Sequence, residues 1–190
     1  MIIAAREAAI GSKFLAAALV LSLSGTASAA EMHGKVVAVA DGDTLTVLDD
    51  AGTQHKVRLS GIDAPERRQP YGQRAKQHLA VLAHGKGVRV EWDKRDRYGR
   101  LVGRVLLAEC PRPECPYTRD AGLEQIRAGL AWHYIEYSKE QPLAERWRYA
   151  RVEREARARR EGLWHEADPV PPWNYRRAGR IEKTGSVPVF

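Results

Sequence analysis

The sequence predicts an α+β fold, a five-stranded β-barrel with three helices against it. Five short segments carry strand patterning, and three others carry helical spacing. The order is three strands, a helix, two strands and two helices, with strands close enough in sequence for a meander. At 190 residues the chain suits one domain with extensions better than two domains.

Each element has its own justification. Residues 1–29 read as a secretory leader: Arg6 and Lys13 form the charged start, residues 14–23 the apolar run, and Ala27-Ser28-Ala29 the small-residue cleavage site. That run falls short of the roughly 20 residues a membrane span requires, an uncleaved anchor being the alternative, and no later segment could span. Cleavage near Ala29 places the mature chain in the periplasm or the medium, with no membrane attachment. Strands are expected at 35–39, 45–48 and 55–59, short runs carrying β-branched residues, and the last two flank Asp49-Asp50-Ala51-Gly52, a hairpin turn composition. Val88, Val90 and Trp92 alternate with Arg89 and Glu91 in a fourth strand, and residues 101–107 make the fifth.

Ala75, Leu79, Leu82 and Ala83 recur at helical spacing before Gly85. Leu123, Ile126 and Leu130 do so after a capping residue at Asp120. The third helix covers 142–161, with Leu143, Trp147 and Ala150 as its apolar stripe and the acid and arginine alternation of "RVEREARARREG" as its solvent face. Trp132, Trp147 and Trp164 are expected in the core, and His133 in a structural or exposed position. The globular domain spans 30–166. Residues 167–190, Pro-rich and basic with little periodicity, are expected to wrap the surface or stay disordered.

Lys and Arg number 31 against 24 Asp and Glu, a net charge of +7. This points to a polyanionic partner, whether nucleic acid, an anionic membrane or an acidic polymer. Loss of the leader removes only Arg6, Lys13 and Glu7, so the basic balance belongs to the functional part. Cys110 and Cys115 lie across a Pro-rich turn, and in an exported chain that reads as a local disulfide; a zinc site would need two further ligands.

Against this basic background, four acids stand out. Asp41 and Asp43 frame "DGDT" between the first two strands, and Asp63 and Glu66 follow the third in "RLSGIDAPERR". If the second and third strands form a hairpin, the start of one lies beside the end of the other, so the two acidic clusters become neighbours. Clustered carboxylates repel unless a proton or cation sits among them, and oxygen donors without His or Cys favour Ca²⁺ or Mg²⁺, with Ca²⁺ the better fit. Taken singly, each acidic motif is also ordinary turn chemistry. Arg58 sits on the third strand near these acids, and "DRYGR" puts Arg100 after a tight turn between the last two strands. The arginine fork binds phosphate oxygens in pairs, so a cation, a carboxylate base and two arginines make a phosphoryl-transfer site.

With these residues in place, "VADGDTLTV", "VRLSGIDAPE" and "DRYGR" resemble, in order and spacing, the thermonuclease (staphylococcal nuclease-like) family, over about Gly34 to Trp164. The resemblance implies an OB-fold barrel and a Ca²⁺-dependent nuclease that hydrolyses DNA and RNA with little sequence specificity, leaving 3′-phosphates. It implies Asp43, Asp63 and the carbonyl of Ala64 as metal ligands and Glu66 as the general base. Arg58 and Arg100 fall to the scissile phosphate, and Asp41 and Tyr98 to supporting positions. Either Tyr134 or Tyr137 would cover the nucleotide.

Ala64 departs from the threonine of the best-known member, a change that a carbonyl ligand tolerates, and the Cys110–Cys115 turn is longer than that member's link. Arg74, Lys76, Lys94, Arg95 and Arg97 could track a substrate strand, single strands being preferred. A monomer is expected. The competing reading is a non-catalytic nucleic-acid-binding OB-fold module of the cell envelope.

Overall fold

The computed structural model describes residues 30–110 and 115–184, with side chains through 180. The leader reading falls outside the described residues. Among the described residues, eight strands and four α-helices appear in the order β1 (Ala30–Val39), β2 (Thr44–Asp49), β3 (Gln54–Leu59), β4 (Ile62–Asp63), α1 (Gly72–Ala83), β5 (Gly87–Arg95), β6 (Leu101–Ala108), β7 (Tyr117–Asp120), α2 (Ala121–Arg127), β8 (Trp132–His133), α3 (Leu143–Ala158) and α4 (Pro172–Thr184). Among the described residues, no helix is long and apolar enough to cross a membrane.

The five expected strands are β1, β2, β3, β5 and β6. They form a sheet in the order β3-β2-β1-β5-β6, closed by a parallel β3–β6 pairing that sets Val57, Arg58 and Leu59 opposite Leu101, Val102 and Gly103. That is a closed five-stranded barrel of OB type. Alternating side chains point inward, so Val36, Leu45, Val47, Val57, Val90 and Val105 are wholly buried. β1 is longer than expected because it serves two neighbours: Gly34 to Val39 pair with β2, and Ala30 to Lys35 with β5. The edge of β6 is also shared, with β3 at its start and β7 at its end.

Two helices match their expected faces. α1 buries Ala75, Leu79, Leu82 and Ala83. α2 is capped by Asp120, whose carboxylate accepts from the Gly122 and Leu123 N–H groups and, on its other oxygen, from the Tyr149 hydroxyl at 2.8 Å and Arg104 Nε at 3.0 Å.

α3 departs from expectation. Its buried face is Tyr149, Val152, Glu153 and Ala156, whereas Leu143 and Trp147 are 63% and 66% exposed. Leu143, Trp147 and Ala150 were the expected apolar stripe, yet the inward face is the one whose polar atoms find partners. The Tyr149 hydroxyl reaches Asp120, and Glu153 accepts the His133 N–H at 3.2 Å. A polarity count ranks Tyr and Glu as surface residues and misses this. Trp132 and Trp164 are buried as expected, 4.3 Å apart between ring centroids, and His133 takes the structural of its two expected positions, buried and meeting Gln141 at 2.9 Å. Cys110 and Cys115 form a disulfide with Cα atoms 5.7 Å apart.

The C-terminal segment also differs from its sequence reading. Pro172 opens α4, a position where its missing N–H leaves no helical bond unmade and its fixed φ suits the first turn.

Candidate active site

Hairpin geometry brings the two acidic clusters together. β2 and β3 pair with Thr44 opposite Arg58, and the Leu59 N–H donates to the Asp43 carbonyl at 2.8 Å. The "DGDT" turn is tight: the Ala40 N–H reaches the Thr44 carbonyl, and the Asp43 N–H reaches Asp41 Oδ1 at 3.1 Å. Gly42 is required by close approach, since a Cβ there would lie 2.6 Å from that of Ala75 and 2.7 Å from that of Ala64. Its carbonyl is held by fully buried Gln125, whose amide donates to Gly42 at 2.6 Å and to the Ala75 carbonyl at 2.9 Å. Sequence spacing did not single out Gln125, which ties the acidic turn to α1 and α2.

Asp43 and Asp63 are both buried, and Arg58 joins them. Arg58 Nη1 donates to Asp43 Oδ2 at 2.7 Å, and Nη2 to Asp63 Oδ1 at 3.0 Å. Asp43 further accepts from the Thr44 hydroxyl at 2.8 Å and the Ala64 N–H at 3.2 Å. Burial works to raise the Asp43 carboxyl, but Arg58, Thr44 and the Ala64 N–H outweigh it and hold it below the ordinary carboxylate range. At Asp41, burial and the neighbouring Asp43 charge outweigh the bonds from the Asp43 N–H and Thr44 and push it up to about 6. The negative charge here exceeds what Arg58 alone neutralises.

Arg100 approaches from the β5–β6 turn. Gly99 takes a left-handed φ of 77° there, and Asp96 closes the turn by accepting from the Tyr98 and Arg100 N–H groups. The Arg100 guanidinium pairs with Asp96 Oδ2 at 2.7 Å and reaches the Thr44 hydroxyl at 3.4 Å. It also lies 5.4 Å from the ring centroid of Tyr98, which is largely exposed. Arg58, Arg100, Asp43, Glu66, Tyr134 and Tyr137 all line one cleft of ≈1100 Å³ at the barrel mouth. Lys94, Arg95 and Arg97 line it too, whereas Arg74 sits over Tyr71 in a separate pocket and Lys76 lines neither.

Tyr134 and Tyr137 stand together with ring centroids 5.0 Å apart, so the structure keeps both at the cleft. Burial, with help from Glu136 and Asp63, pushes the Tyr134 hydroxyl up to about 12.

Glu66 lies in the loop before α1, where Gln69 folds the chain back by accepting the Glu66 N–H at 3.1 Å and passing its own N–H to the Glu66 carbonyl at 2.8 Å. The partner of the Glu66 side chain is one that sequence reasoning missed. Arg176 of α4 enters the cleft and donates from Nη1 to Glu66 Oε1 at 2.7 Å and from Nη2 to Asp63 Oδ2 at 2.7 Å. The available signal was weak: Pro172 as a helix start, then Trp173, Arg176 and Arg180 at i, i+3 and i+7.

The donor set fits a hard cation. It is all carboxylate, and where Asp63 and Glu66 converge the seat is filled by a guanidinium, so positive charge is what the position takes. Ala64, whose carbonyl is the expected third ligand, lines the same cleft and donates its N–H to Asp43 Oδ2 at 3.2 Å. Among the described residues, no three His, Cys, Asp or Glu side chains converge as a ready-made metal cage.

A closed five-stranded barrel with buried aspartates, two arginines and a glutamate at its mouth defines a phosphodiester-cleaving class of protein. Comparison with known sequences agrees: residues 56–166 match the family described as staphylococcal nuclease homologue, and the chain belongs to that family. A micrococcal nuclease of Shigella flexneri is 40% identical over 87% of this chain and 92% of its own length. An uncharacterized endonuclease of Escherichia coli O157:H7 is 40% identical over 77% and 86% respectively, and one of Haemophilus influenzae 34% identical over 82% and 79%.

Proposed function

We propose that this nuclease-family chain is an exported, Ca²⁺-dependent enzyme that hydrolyses DNA and RNA with little sequence specificity, as a monomer that favours single strands and leaves 3′-phosphate ends. The observation that carries the reading is the Asp43–Arg58–Asp63 bridge beside Glu66, at the mouth of a cleft that Arg100 also lines. Asp43 and Asp63 would hold the cation, which when bound supplies charge stabilisation at the reacting phosphate.

The chain's own groups do the rest. Arg58 and Arg100, which both line the cleft, orient the phosphate and stabilise its developing charge. Glu66 takes the proton from the attacking water as the water oxygen bonds to phosphorus. The P–O5′ bond breaks, and the departing oxygen gains a proton to become a 5′-hydroxyl. Tyr134 and Tyr137 offer a ring face to a base, and Lys94, Arg95 and Arg97 follow the backbone, which makes binding salt-sensitive.

The test is release of acid-soluble nucleotides from single-stranded DNA by the purified chain, with Ca²⁺ and with excess chelator. Ca²⁺-dependent release that falls by about 10²- to 10⁴-fold in Glu66→Gln, with substrate binding kept, is expected. Tight binding without release under either condition would identify a binding module instead.

A further inference from the structure

We infer that α4 is an autoinhibitory strap, whose Arg176 guanidinium occupies the cation seat between Asp63 and Glu66 and must leave before a divalent ion can enter. The inference rests on the proposed Ca²⁺ reading of those carboxylates and adds its regulation.

Two independent contacts of α4 block the cleft. Arg176 takes both oxygens of fully buried Asp63, at 3.2 and 2.7 Å, and one oxygen of Glu66 at 2.7 Å. Those are the atoms a metal ion and the attacking water would use, and a guanidinium and a cation cannot both have them. Three residues earlier, Trp173 lies stacked on Tyr134, with centroids 5.4 Å apart and planes 13° from parallel. The ring proposed to receive a base is already covered. One turn of one helix therefore fills the charged subsite and the stacking subsite together.

The strap is also built to release. Over residues 172–180, Pro172 alone is buried, and most of the rest is exposed. Its approach is held by the Val170 carbonyl, which accepts from Gln69 Nε2 at 2.6 Å, in the same loop that carries Glu66. The segment lies beyond residue 166, where the match to the family model ends. Nucleic acid offers phosphates for the freed arginines of α4, so substrate and cation would both favour the open state.

Docking lowers apparent cation affinity by the fraction of molecules already open, so loosening the strap tightens binding. In the full-length chain, Ca²⁺ binding by calorimetry should tighten about tenfold or more in Arg176→Gln, given charge-assisted bonds of this kind. Trp173→Ala changes no charge, yet should also tighten binding, by about three- to tenfold, because it removes the stack that seats the helix. Tryptic cleavage after Arg176 and Arg177 should accelerate when Ca²⁺ is added to the wild-type chain.

Tightening in Arg176→Gln alone, with Trp173→Ala unchanged and no Ca²⁺ effect on cleavage, would reduce Arg176 to a nearby charge and overturn the strap. Equal Ca²⁺ affinity in all three proteins would overturn it while leaving the Ca²⁺ reading intact. Absence of Ca²⁺ binding in all three would overturn both.

Discussion

Arg58 has two tasks, and replacing it with Gln separates them. Its guanidinium gives one bond each to Asp43 and Asp63, whose side chains are 7% and 0% exposed. Charge-assisted bonds contribute about 1.5–3 kcal/mol each, and losing one partner of a buried pair costs about 3–5 kcal/mol because the remaining charge stays desolvated. Arg176 still serves Asp63, so the lower end applies, and Arg58→Gln should lose about 3 kcal/mol of unfolding free energy in chelator. Arg100→Gln is the control. Its partner Asp96 lies on a turn where both side chains keep about a fifth of their exposure, and such pairs contribute about 0–1 kcal/mol.

Urea denaturation of both variants without divalent ions reads the difference directly. Added Ca²⁺ should return part of the Arg58→Gln loss, since the ion takes over neutralisation of the two aspartates. A difference between the variants below about 1 kcal/mol would refute the argument that Arg58 neutralises this buried pair.

Other outcomes follow from the same contacts. Arg100→Lys should keep its stability and still fall about 10²-fold or more in kcat/KM on single-stranded DNA, because a point charge cannot reproduce the fork; near-normal turnover would remove Arg100 from the phosphate. Gln125→Leu leaves the Gly42 and Ala75 carbonyls without their buried donor, and should lose about 2–4 kcal/mol by chemical denaturation, together with activity per folded molecule. Trp147→Ser should change stability by no more than about 0.5 kcal/mol, which thermal melts can check, because this ring projects from α3 into solvent.

The barrel was legible because period-2 patterning is strict where one strand face is buried, as with Val88 and Val90 against Arg89 and Glu91. The acidic pair and Arg58 were legible for a related reason: the hairpin register converts two separated motifs into neighbours, with Thr44 opposite Arg58. What escaped has a physical cause in each case. The inward face of α3 depends on Asp120 and the His133 N–H being in place to satisfy Tyr149 and Glu153, and both lie outside the helix itself. Gln125 contributes through a backbone carbonyl, which leaves no pattern in residue type. Arg176 reaches Asp63 across 113 positions of chain, and a helix of arginines reads as a solvated surface until its docking place is known.

The parallel seam between β3 and β6 is three residues long, and Arg58 is its middle member, opposite Val102. Because that seam joins segments far apart in the chain, it belongs among the slower contacts to form. By setting Leu101 opposite Val57, it brings the preceding Arg100 to the Thr44 hydroxyl, beside an Arg58–aspartate bridge that the β2–β3 hairpin already assembles. The two arginines of the cleft thus have different origins: Arg58 belongs to a local hairpin, whereas Arg100 arrives only where the barrel closes on itself.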